Sequence, residues 1–574
     1  MQLSGLDWGI VIAFLALTLL IGVIVARKAG KNSSEFFLSG RNMPWWLLGV
    51  SMVATTFGAD TPNLVAGIVR KDGIAGNWVW WAFLLTGMLT VFVYARLWRR
   101  LGITTDLEYY EIRYTGKIAG FLRGFRAIYL GVFFNIVVMA TVCLAGIKIG
   151  NVMMGLEWYE TLGITGAVTV LYSLLGGLRG VIFTDFFQFA VAMVGSIWAA
   201  YYIVNLPEIG GMSNLLSHDL VSQKIDMIPS RIKNEDLWLA ALIIPLAVQW
   251  WSVWYPGSEP GGGGYIAQRM LSAKDEKHAT KATLFFNFAH YALRPWPWII
   301  IGLASIVIYP NLDLLAEQFP TLPKSMIQDD LAYPAMLTFL PAGLLGLVLA
   351  SLISAFMSTI STHLNWGSSY VVNDFYKRFV RKEASEKELV RVGRISTAVM
   401  MVLAALLSLV LEQAKDAFDL ILQIGAGTGL LFIMRWFWKA INPFSEITAM
   451  GVSFLVAVVF FVMDRAYGIE ISSTVKLISG VAITTAAWVI VTLLTANEKY
   501  LHPDYEKRAF AAEGKFKNMG YKVVSIFLGC IAIYSALFAT GKFLFGDQQM
   551  GLYFLLAFGF AVLGLGYCWR KIFR

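Results

Sequence analysis

Long apolar stretches are the feature that most constrains the fold of this 574-residue chain. About fifteen of them are long enough to cross a hydrocarbon core of ~30 Å as helices, and short charged segments separate them. The pattern therefore predicts an all-α polytopic membrane protein with about fifteen transmembrane helices. The approximate spans are 8–27, 44–70, 77–98, 119–149, 161–177, 179–204, 236–257, 280–308, 341–375, 388–412, 415–438, 445–464, 473–495, 521–543 and 551–570.

The composition agrees with this class and argues against others. Charged residues make up 14% of the chain and hydrophobic residues 57%, whereas a typical soluble domain is about 25% charged. Such a chain is neither disordered nor a soluble multidomain protein. The net charge of +9 comes from residues in the short loops, so the predicted partner is the lipid bilayer and not a nucleic acid. Cys143, Cys530 and Cys568 lie in apolar runs, as small buried residues do.

The distribution of Lys and Arg predicts the orientation. Arg27 and Lys28 follow the first span and no basic residue precedes it, which is the reverse of a secretory signal. When sides alternate from there, most of the basic residues fall on one side, which the positive-inside rule makes cytoplasmic. We therefore expect an integral, multi-pass protein of the plasma (inner) membrane with the N-terminus outside and the C-terminus in the cytoplasm.

Polar residues interrupt the 44–70 span near its middle. Gly58 permits unusual backbone angles, and Pro62 removes a backbone donor and disfavours helix at Thr61. The pattern predicts a discontinuous helix whose free carbonyls can bind a cation. The alternative is a simple proline kink packed against neighbouring helices. The polar residues of this interruption are Thr55, Thr56, Asp60, Thr61 and Asn63.

The 341–375 span carries a row of polar side chains on one helical face. At about 100° per residue, its members fall within about 100° of one another, and His363 lies opposite. Neutral oxygens in a row suit a hard monovalent cation that must arrive and leave, whereas small-residue packing with hydroxyls bonded to the i−4 carbonyl is the alternative. The row consists of Ser351, Ser354, Ser358, Ser361, Thr362, Asn365 and Ser369.

Three further features point to function less directly. Asp185 is a carboxylate in an apolar span, and a cation between it and the hydroxyl row would neutralise it, unless it is a structural residue bonded to a helix end. The aromatic residues at 250–255 fit an interfacial belt or stacking on a sugar, and the PGSEPGGGG segment at 256–264 is expected to break its helix. Gln423, beside a glycine-rich segment, could contact solute or bond between helices.

Four sequence segments resemble the sodium/solute symporter family, over roughly residues 5–465. They are EFFLSGRNMPWW before 44–70, GGLRGVIFTDFFQ leading into 179–204, YIAQRML after 236–257, and AFMSTIST with NDFYKRF in 341–375. The resemblance implies a LeuT-type fold of two inverted five-helix repeats. The corresponding divisions are 1–43 (an extra helix and inner loop), 44–204 (first repeat), 236–440 (second repeat) and 441–574 (peripheral helices).

The resemblance also implies ion ligands, with Na⁺ as the co-transported ion. The first sodium site would use the carbonyls of Ala54, Phe57 and Ala355 and the hydroxyls of Ser358 and Thr359. Some family members hold a second sodium, for which the matching residues here are Asp185, Ser358, Ser361 and Thr362.

The resemblance does not identify the solute. Proline carriers have an aspartate where Thr56 stands, and sugar carriers have an acidic residue at the position of Asp60, often followed by Gln and not by Thr61. The expected function is sodium-coupled import of a small polar solute, such as a sugar, sugar acid or amino acid, and not an enzymatic one. A proton-coupled carrier and a solute sensor are the alternatives, and the oligomeric state is open. The expected solute-site residues are Thr55, Asp60, Thr61, Asn77, Gln249 and Gln423.

Overall fold

The computed structural model describes residues 3–252, 259–320, 327–411, 425, 427–469, 471–510, 514 and 516–573, and within these the chain is built from helices. The main helices are α1 (Gly5–Ala29), α2 (Trp45–Thr55), α3 (Thr61–Asp72), α4 (Ile74–Leu101), α5 (Gly116–Met154), α6 (Trp158–Val204), α7 (Gly264–Ser272), α8 (Glu276–Ile308), α9 (Leu344–Val380), α10 (Glu386–Ser408), α11 (Gly429–Met434), α12 (Pro443–Tyr467), α13 (Ser473–Thr495), α14 (Met519–Leu544) and α15 (Gln548–Ile572). Short helical segments at 235–251 precede α7, and others lie in the connections.

Eleven ranges of described residues are long and apolar enough to cross a membrane, so the chain is a multi-pass membrane protein. One of them, α6, has 47 residues, and a straight helix of that length would extend for about 70 Å. The chain instead reverses at Gly177, whose φ is 50° and ψ is −155°. A Cβ built on Gly180 would lie 3.6 Å from the carbonyl oxygen of Tyr172, which only a reversal allows. The predicted spans 161–177 and 179–204 are therefore two crossings within α6, while the total of about fifteen stays a prediction.

The predicted break in the 44–70 span is confirmed. Helix α2 ends at Thr55 and α3 begins at Thr61, with Pro62 in its first turn. A Cβ built on Gly58 would overlap Oδ1 of Asp60, so a larger residue there would displace the Asp60 side chain. The non-helical residues 56–60 lie between two short helices that together replace one membrane-spanning helix.

Helix α9 is the most deeply buried long helix, and its row of polar side chains faces protein and not lipid. Residues 344–369 are almost all buried, including every predicted member of the row. His363, on the opposite face, shares a 2.5 Å hydrogen bond with Asn135 of α5. The row therefore lies in the interior of the helix bundle.

The connections between helices gather at two opposite ends of the bundle. The end predicted to be basic, here called the basic side, carries the connections at 30–44, 102–115, 273–275, 381–385 and the described parts of the last one, 496–510 and 516–518. Hydrogen bonds join these connections: Ser33 to Glu386 (2.8 Å), Arg41 to Ile103 (2.9 Å), Arg99 to Ala273 (2.6 Å) and Thr115 to Tyr500 (3.0 Å). The connection 205–235 and the described residues 309–320 and 327–343 lie at the other end, here called the open side.

The additional first helix, α1, is attached to the N-terminus of α9. Asp7 Oδ1 accepts hydrogen bonds of 2.7 Å from the backbone N–H groups of both Gly343 and Gly346. These groups belong to the first turn of α9, where helical N–H groups lack partners within the helix. The negative charge of Asp7 at the N-terminus of α9 also interacts favourably with the dipole of that helix. Helix α1 thereby fixes the axial position of the helix that carries the hydroxyl row.

The reversal in α6 predicts a position-specific effect of adding one methyl group. Gly177→Ala should lower the thermal unfolding midpoint by several degrees, because its φ of 50° strains any other residue by about 1–3 kcal/mol. The new Cβ would also lie 2.6 Å from the carbonyl oxygen of Phe36. The matched control is Gly163→Ala in the same helix, where the space is open and where alanine favours the helix. Equal midpoints for the two variants would contradict a reversal at Gly177.

Candidate ion and solute sites

The end of α2 meets the middle of α9. The hydroxyl of Thr359 donates a 3.1 Å hydrogen bond to the carbonyl oxygen of Thr55, the last residue of α2. The five residues expected at the first sodium site lie in this region, and each is at most 4% exposed. The contact joins the free end of α2 to α9, and the Thr55 hydroxyl, 3.0 Å from that of Thr362, connects the same end to the hydroxyl row.

The backbone around the break offers carbonyl oxygens because the helix stops there. The Ala54 carbonyl still accepts a 3.1 Å bond from the N–H of Phe57, which closes the last turn. The Phe57 ring stacks on Trp298 of α8 with 5.0 Å between centroids, and this fixes the start of the non-helical segment. Carbonyl and hydroxyl oxygens are the kind of ligand that alkali cations take in membrane proteins.

Asp185 of α6 lies next to this region and is fully buried. Its Oδ1 accepts a 2.6 Å hydrogen bond from Ser358, and its Oδ2 accepts one of 2.5 Å from Ser51. From the sequence, Asp185 was expected either to face a neutralising cation or to be a structural residue bonded to a helix end. The structure places a cationic side chain of the same chain beside it. Nη2 of Arg269, on α7, lies 3.8 Å from Asp185 Oδ2, and both side chains have no exposed surface.

The Arg269 guanidinium occupies the region expected to hold the second sodium. Nη2 donates to the hydroxyl of Thr362 at 2.6 Å and, more weakly, to that of Thr55 at 3.4 Å. Nε donates to Ser51 at 3.2 Å. Of the other expected ligands, Ser361 donates its hydroxyl to the Ser358 carbonyl at 3.0 Å. Arg269 was present in the YIAQRML segment, but only the fold shows that it reaches Asp185.

Asp60 is the acidic residue of the break. It is exposed, although it lies between two membrane-embedded helices. Leu64, which is 47% exposed, and the exposed Lys71 lie within about 40° of Asp60 around the helix axis, so the three share one open face. A carboxylate facing lipid would be too costly, so this face borders water. At the open side, Lys71 lines a cavity of about 480 Å³ with residues of the 205–235 connection.

Two of the expected solute residues hold the chain segment next to this cavity. The amide oxygen of Asn77 accepts a 2.8 Å hydrogen bond from the indole N–H of Trp80, and Gln249 donates to the Val79 carbonyl at 2.9 Å. Thr61 is half-buried beside Asp60. The Thr55 hydroxyl shares a 3.0 Å bond with Thr362, so it belongs to the Arg269 cluster. Gln423 lies outside the described residues.

A basic pair on α8, which the sequence argument did not assign, completes this region. Arg294 is 2% exposed and donates from Nη1 to the Thr56 hydroxyl at 3.3 Å. His290 Nδ1 lies 3.1 Å from the same hydroxyl, and the His290 ring meets Trp80 edge-on at 5.7 Å. Arg294 is also close enough to Asp60 to interact with its charge. The signal available beforehand was an arginine inside an apolar span.

The sequence matches a known family over most of its length. Residues 36–450 match the sodium:solute symporter family, which is well over half of the chain. The chain belongs to the sodium:solute symporter family. Membership confirms the resemblance seen in the four sequence segments, and it makes Na⁺ the co-transported ion that the family implies.

Relatives of this symporter-family chain include transporters for sugars and a polyol. It is 27% identical over 454 residues to a sodium/glucose cotransporter of Vibrio parahaemolyticus, with 76% of this chain and 81% of the relative covered. It is 26% identical over 525 residues to sodium/glucose cotransporter 1 of Mus musculus, with 83% and 75% covered. The sodium/myo-inositol cotransporter of Bos taurus is 27% identical over 508 residues, with 81% and 68% covered.

The fold of the chain is shared with a solved symporter. The outward-open, substrate-bound structure of a Na⁺-coupled sialic acid symporter superposes with a TM-score of 0.69 at 22% identity. The match covers 87% of this chain and 99% of that one. It establishes the helical membrane fold.

The Arg269–Asp185 pair predicts that a variant without Arg269 depends on Na⁺ for its stability more than the parent does. Arg269→Gln should lower the thermal unfolding midpoint in sodium-free choline buffer, because a buried carboxylate that loses its cation costs about 3–5 kcal/mol. Added Na⁺ should then restore more stability in this variant than it adds to the parent, by taking the place of the guanidinium.

The matched control is the double variant Arg269→Gln/Asp185→Asn, in which the buried pair is neutral. It should lose less stability than the single variant and should gain no more from Na⁺ than the parent does. If the single and double variants lose the same stability and respond equally to Na⁺, the two side chains are not coupled.

Proposed function

We propose that this chain is a sodium-coupled symporter that imports a small polar organic solute by alternating access. The observation that carries the proposal is the hydrogen bond from Thr359 to the Thr55 carbonyl, because it joins the end of the broken helix to α9, the helix that carries the hydroxyl row. A cation bound there would connect two elements that must move relative to each other. Family membership supports sodium as that cation.

The first sodium ion is proposed to bind the carbonyls of Ala54, Phe57 and Ala355 and the hydroxyls of Ser358 and Thr359. All five oxygens are uncharged, so the ion keeps its charge and can leave again. Sodium bound between α2 and α9 would favour the conformation in which the break is held against α9. It would raise solute affinity by the same factor by which solute raises sodium affinity, since coupling is reciprocal.

The solute is proposed to bind at the cavity end of the break, next to Asp60 and Thr61. Asp60 can accept hydrogen bonds from hydroxyl or ammonium groups, and Arg294 with His290 supplies donors nearby. Trp80, stacked on Tyr291 at 5.8 Å, offers an aromatic face that suits the apolar side of a sugar ring. The glucose, myo-inositol and sialic acid named for the relatives fit a polar, hydroxyl-rich solute.

A second sodium ion is proposed at Asp185, with Ser358, Ser361 and Thr362, only in a state in which Arg269 has moved away. The guanidinium and the ion would compete for the same carboxylate and for Thr362. The competition lowers the affinity for this ion, because binding must replace an existing charge pair.

The number of ions sets the accumulation that the transporter can reach. At −100 mV each entering charge supplies ~2.3 kcal/mol, and a tenfold sodium gradient adds ~1.4 kcal/mol. One ion therefore supports roughly 500-fold accumulation of a neutral solute, and two ions support roughly 10⁵-fold. Because these two limits differ by more than about a hundredfold, the measured accumulation of solute distinguishes coupling to one ion from coupling to two.

The orientation is proposed from the charge of the loops. We place the basic side in the cytoplasm and the open side outside, with the N-terminus outside and the C-terminus inside the plasma (inner) membrane. The two inverted five-helix repeats are then proposed to be 44–204 and 236–440, flanked by 1–43 and 441–574. In this orientation the exposed side of Asp60 faces the external solution, from which the solute is taken up.

The proposed first sodium site predicts loss of coupling without loss of fold. Ser358→Ala/Thr359→Ala should abolish sodium-stimulated uptake in proteoliposomes, because two of the five ligands disappear. The control is Ser354→Ala, which removes a buried hydroxyl from the same face of α9, one turn away. It should keep at least half of the uptake. Unchanged sodium dependence in the double variant, with a parental unfolding midpoint, would refute the site.

Solute identity can be tested through sodium-dependent ligand stabilisation. In a panel of sugars, sugar acids, amino acids and vitamins, the true solute should raise the unfolding midpoint more in Na⁺ than in choline at fixed pH, because sodium and solute favour one state. Asp60→Asn should reduce that shift. A solute whose effect depends on pH and not on sodium would favour the proton-coupled alternative.

A further inference from the structure

Glu259 is a buried carboxylate that neither proposed site uses. It belongs to the PGSEPGGGG segment before α7, and its side chain is 5% exposed. One carboxylate oxygen contacts Arg126 of α5, and the other accepts a 3.3 Å bond from Arg435, which follows α11. We call these three residues the Glu259 bridge. Buried charges at membrane-embedded positions are costly and are therefore functional candidates.

Charge balance makes Glu259 the essential member of this bridge. Arg435 has a second carboxylate, Glu446, at 3.6 Å. The other contacts of Arg126 among the described residues are uncharged, namely the rings of Tyr110 and Phe432 and the sulfur of Met450. Burial raises the pKa of Tyr110 to about 12, so this hydroxyl stays neutral. If Glu259 moved away, Arg126 would lose the one carboxylate that contacts it among the described residues and would keep only the interaction with Asp106, whereas Arg435 would keep its contact with Glu446.

The bridge lies between the ion site and the basic side. Gly124 of α5 packs against Phe379 of α9, and Gly131 packs against Tyr370, so Arg126 is level with the last turns of α9. Ser358 lies 12 residues before Tyr370, or about 18 Å further from the basic side. A path from the ion site to that side must pass the level of the bridge.

This half of the molecule is closed, in contrast to the half that contains Asp60. Asn365, Ser369 and Asp374, on the basic half of α9, are at most 2% exposed. Asp60 and Leu64, on the other half, are exposed. The bridge connects the segment before α7 with α5 and with the end of α11, so it spans parts of both proposed repeats.

The backbone next to Glu259 contains several glycines with positive φ. Gly261, Gly262 and Gly264 have φ values of 83°, 90° and 52°, which other residues rarely adopt. Two hydrogen bonds fix the present position: the Gly261 carbonyl accepts from Trp98 at 2.8 Å, and the Gly264 N–H donates to Asp106 at 2.9 Å. These two bonds would break if the described residues 259–264 moved away from Arg126.

We propose that the Glu259 bridge is a latch that keeps the basic side of the transport path closed, and that opening of this side separates Glu259 from both Arg126 and Arg435. The proposal rests on the proposed alternating-access function. Loss of the latch should shift the population toward the state that is open on the basic side.

The test measures accessibility on both halves of the full-length chain. Cys143, Cys530 and Cys568 are replaced by alanine, and a single reporter cysteine is added as either Ser369→Cys or Leu64→Cys. Each protein is held in nanodiscs with Na⁺, and its rate of modification by a water-soluble maleimide is recorded. Glu259→Gln should raise the rate at Ser369→Cys about tenfold and should lower it at Leu64→Cys, because the two halves open alternately.

The matched control is Glu446→Gln, which removes an equally buried carboxylate from the same Arg435. It should change either rate less than about twofold, because Arg126 keeps Glu259. Glu259→Asp, which keeps the charge, should give an intermediate rise at Ser369→Cys and provides the readout if Glu259→Gln does not fold. Unchanged rates in folded Glu259 variants, a rise at both reporters, or equal effects of Glu446→Gln would each overturn the latch.

Sodium-stimulated uptake by the parent tests the proposed function separately. If uptake does not depend on sodium while the reporters respond as expected, the latch stands and the coupling ion is wrong. If uptake depends on sodium and the reporters do not respond, the latch is wrong and the symport proposal stands.

Discussion

The buried ion pair of Arg269 and Asp185 is the interaction on which the centre of the molecule depends. In a dry interior a lone carboxylate or guanidinium costs several kcal/mol, and each of these two groups removes that cost for the other. The guanidinium also donates to Ser51 and Thr362, so a single side chain on α7 connects α2, α6 and α9. The helices that meet at the hydroxyl row can therefore pack together without any bound ion.

Local rules were sufficient to predict the features that arise within one segment. Gly58 and Pro62 made the break after Thr55 predictable, because both residues act on the backbone of their own segment. The hydroxyl row of α9 followed from helical periodicity, and its burial agrees with the high cost of facing such a row to lipid. The reversal at Gly177 was likewise anticipated by the gap between two predicted spans.

The features that the sequence did not predict join distant segments. Arg269 is separated from Asp185 by 84 positions, and nothing in the spacing shows that its side chain reaches the carboxylate. The argument from Asp185 offered a neutralising cation or a structural role at a helix end, and it did not include a guanidinium from another helix. Two other sets of contacts also join distant segments and were not predicted. They are the contacts of Glu259 with Arg126 and Arg435, and those of His290 and Arg294 with Thr56. Each depends on how separate helices pack, which periodicity within one helix does not encode.

The position of Ser358 has a consequence for the order in which ions load. Its hydroxyl proton is committed to Asp185 at 2.6 Å, which leaves the oxygen lone pairs available to a cation on the α2 side. The same oxygen is a candidate ligand for both ions, so occupancy of one site polarises a ligand of the other. If two sodium ions bind as proposed, they share this oxygen, and the binding of one ion therefore affects the binding of the other.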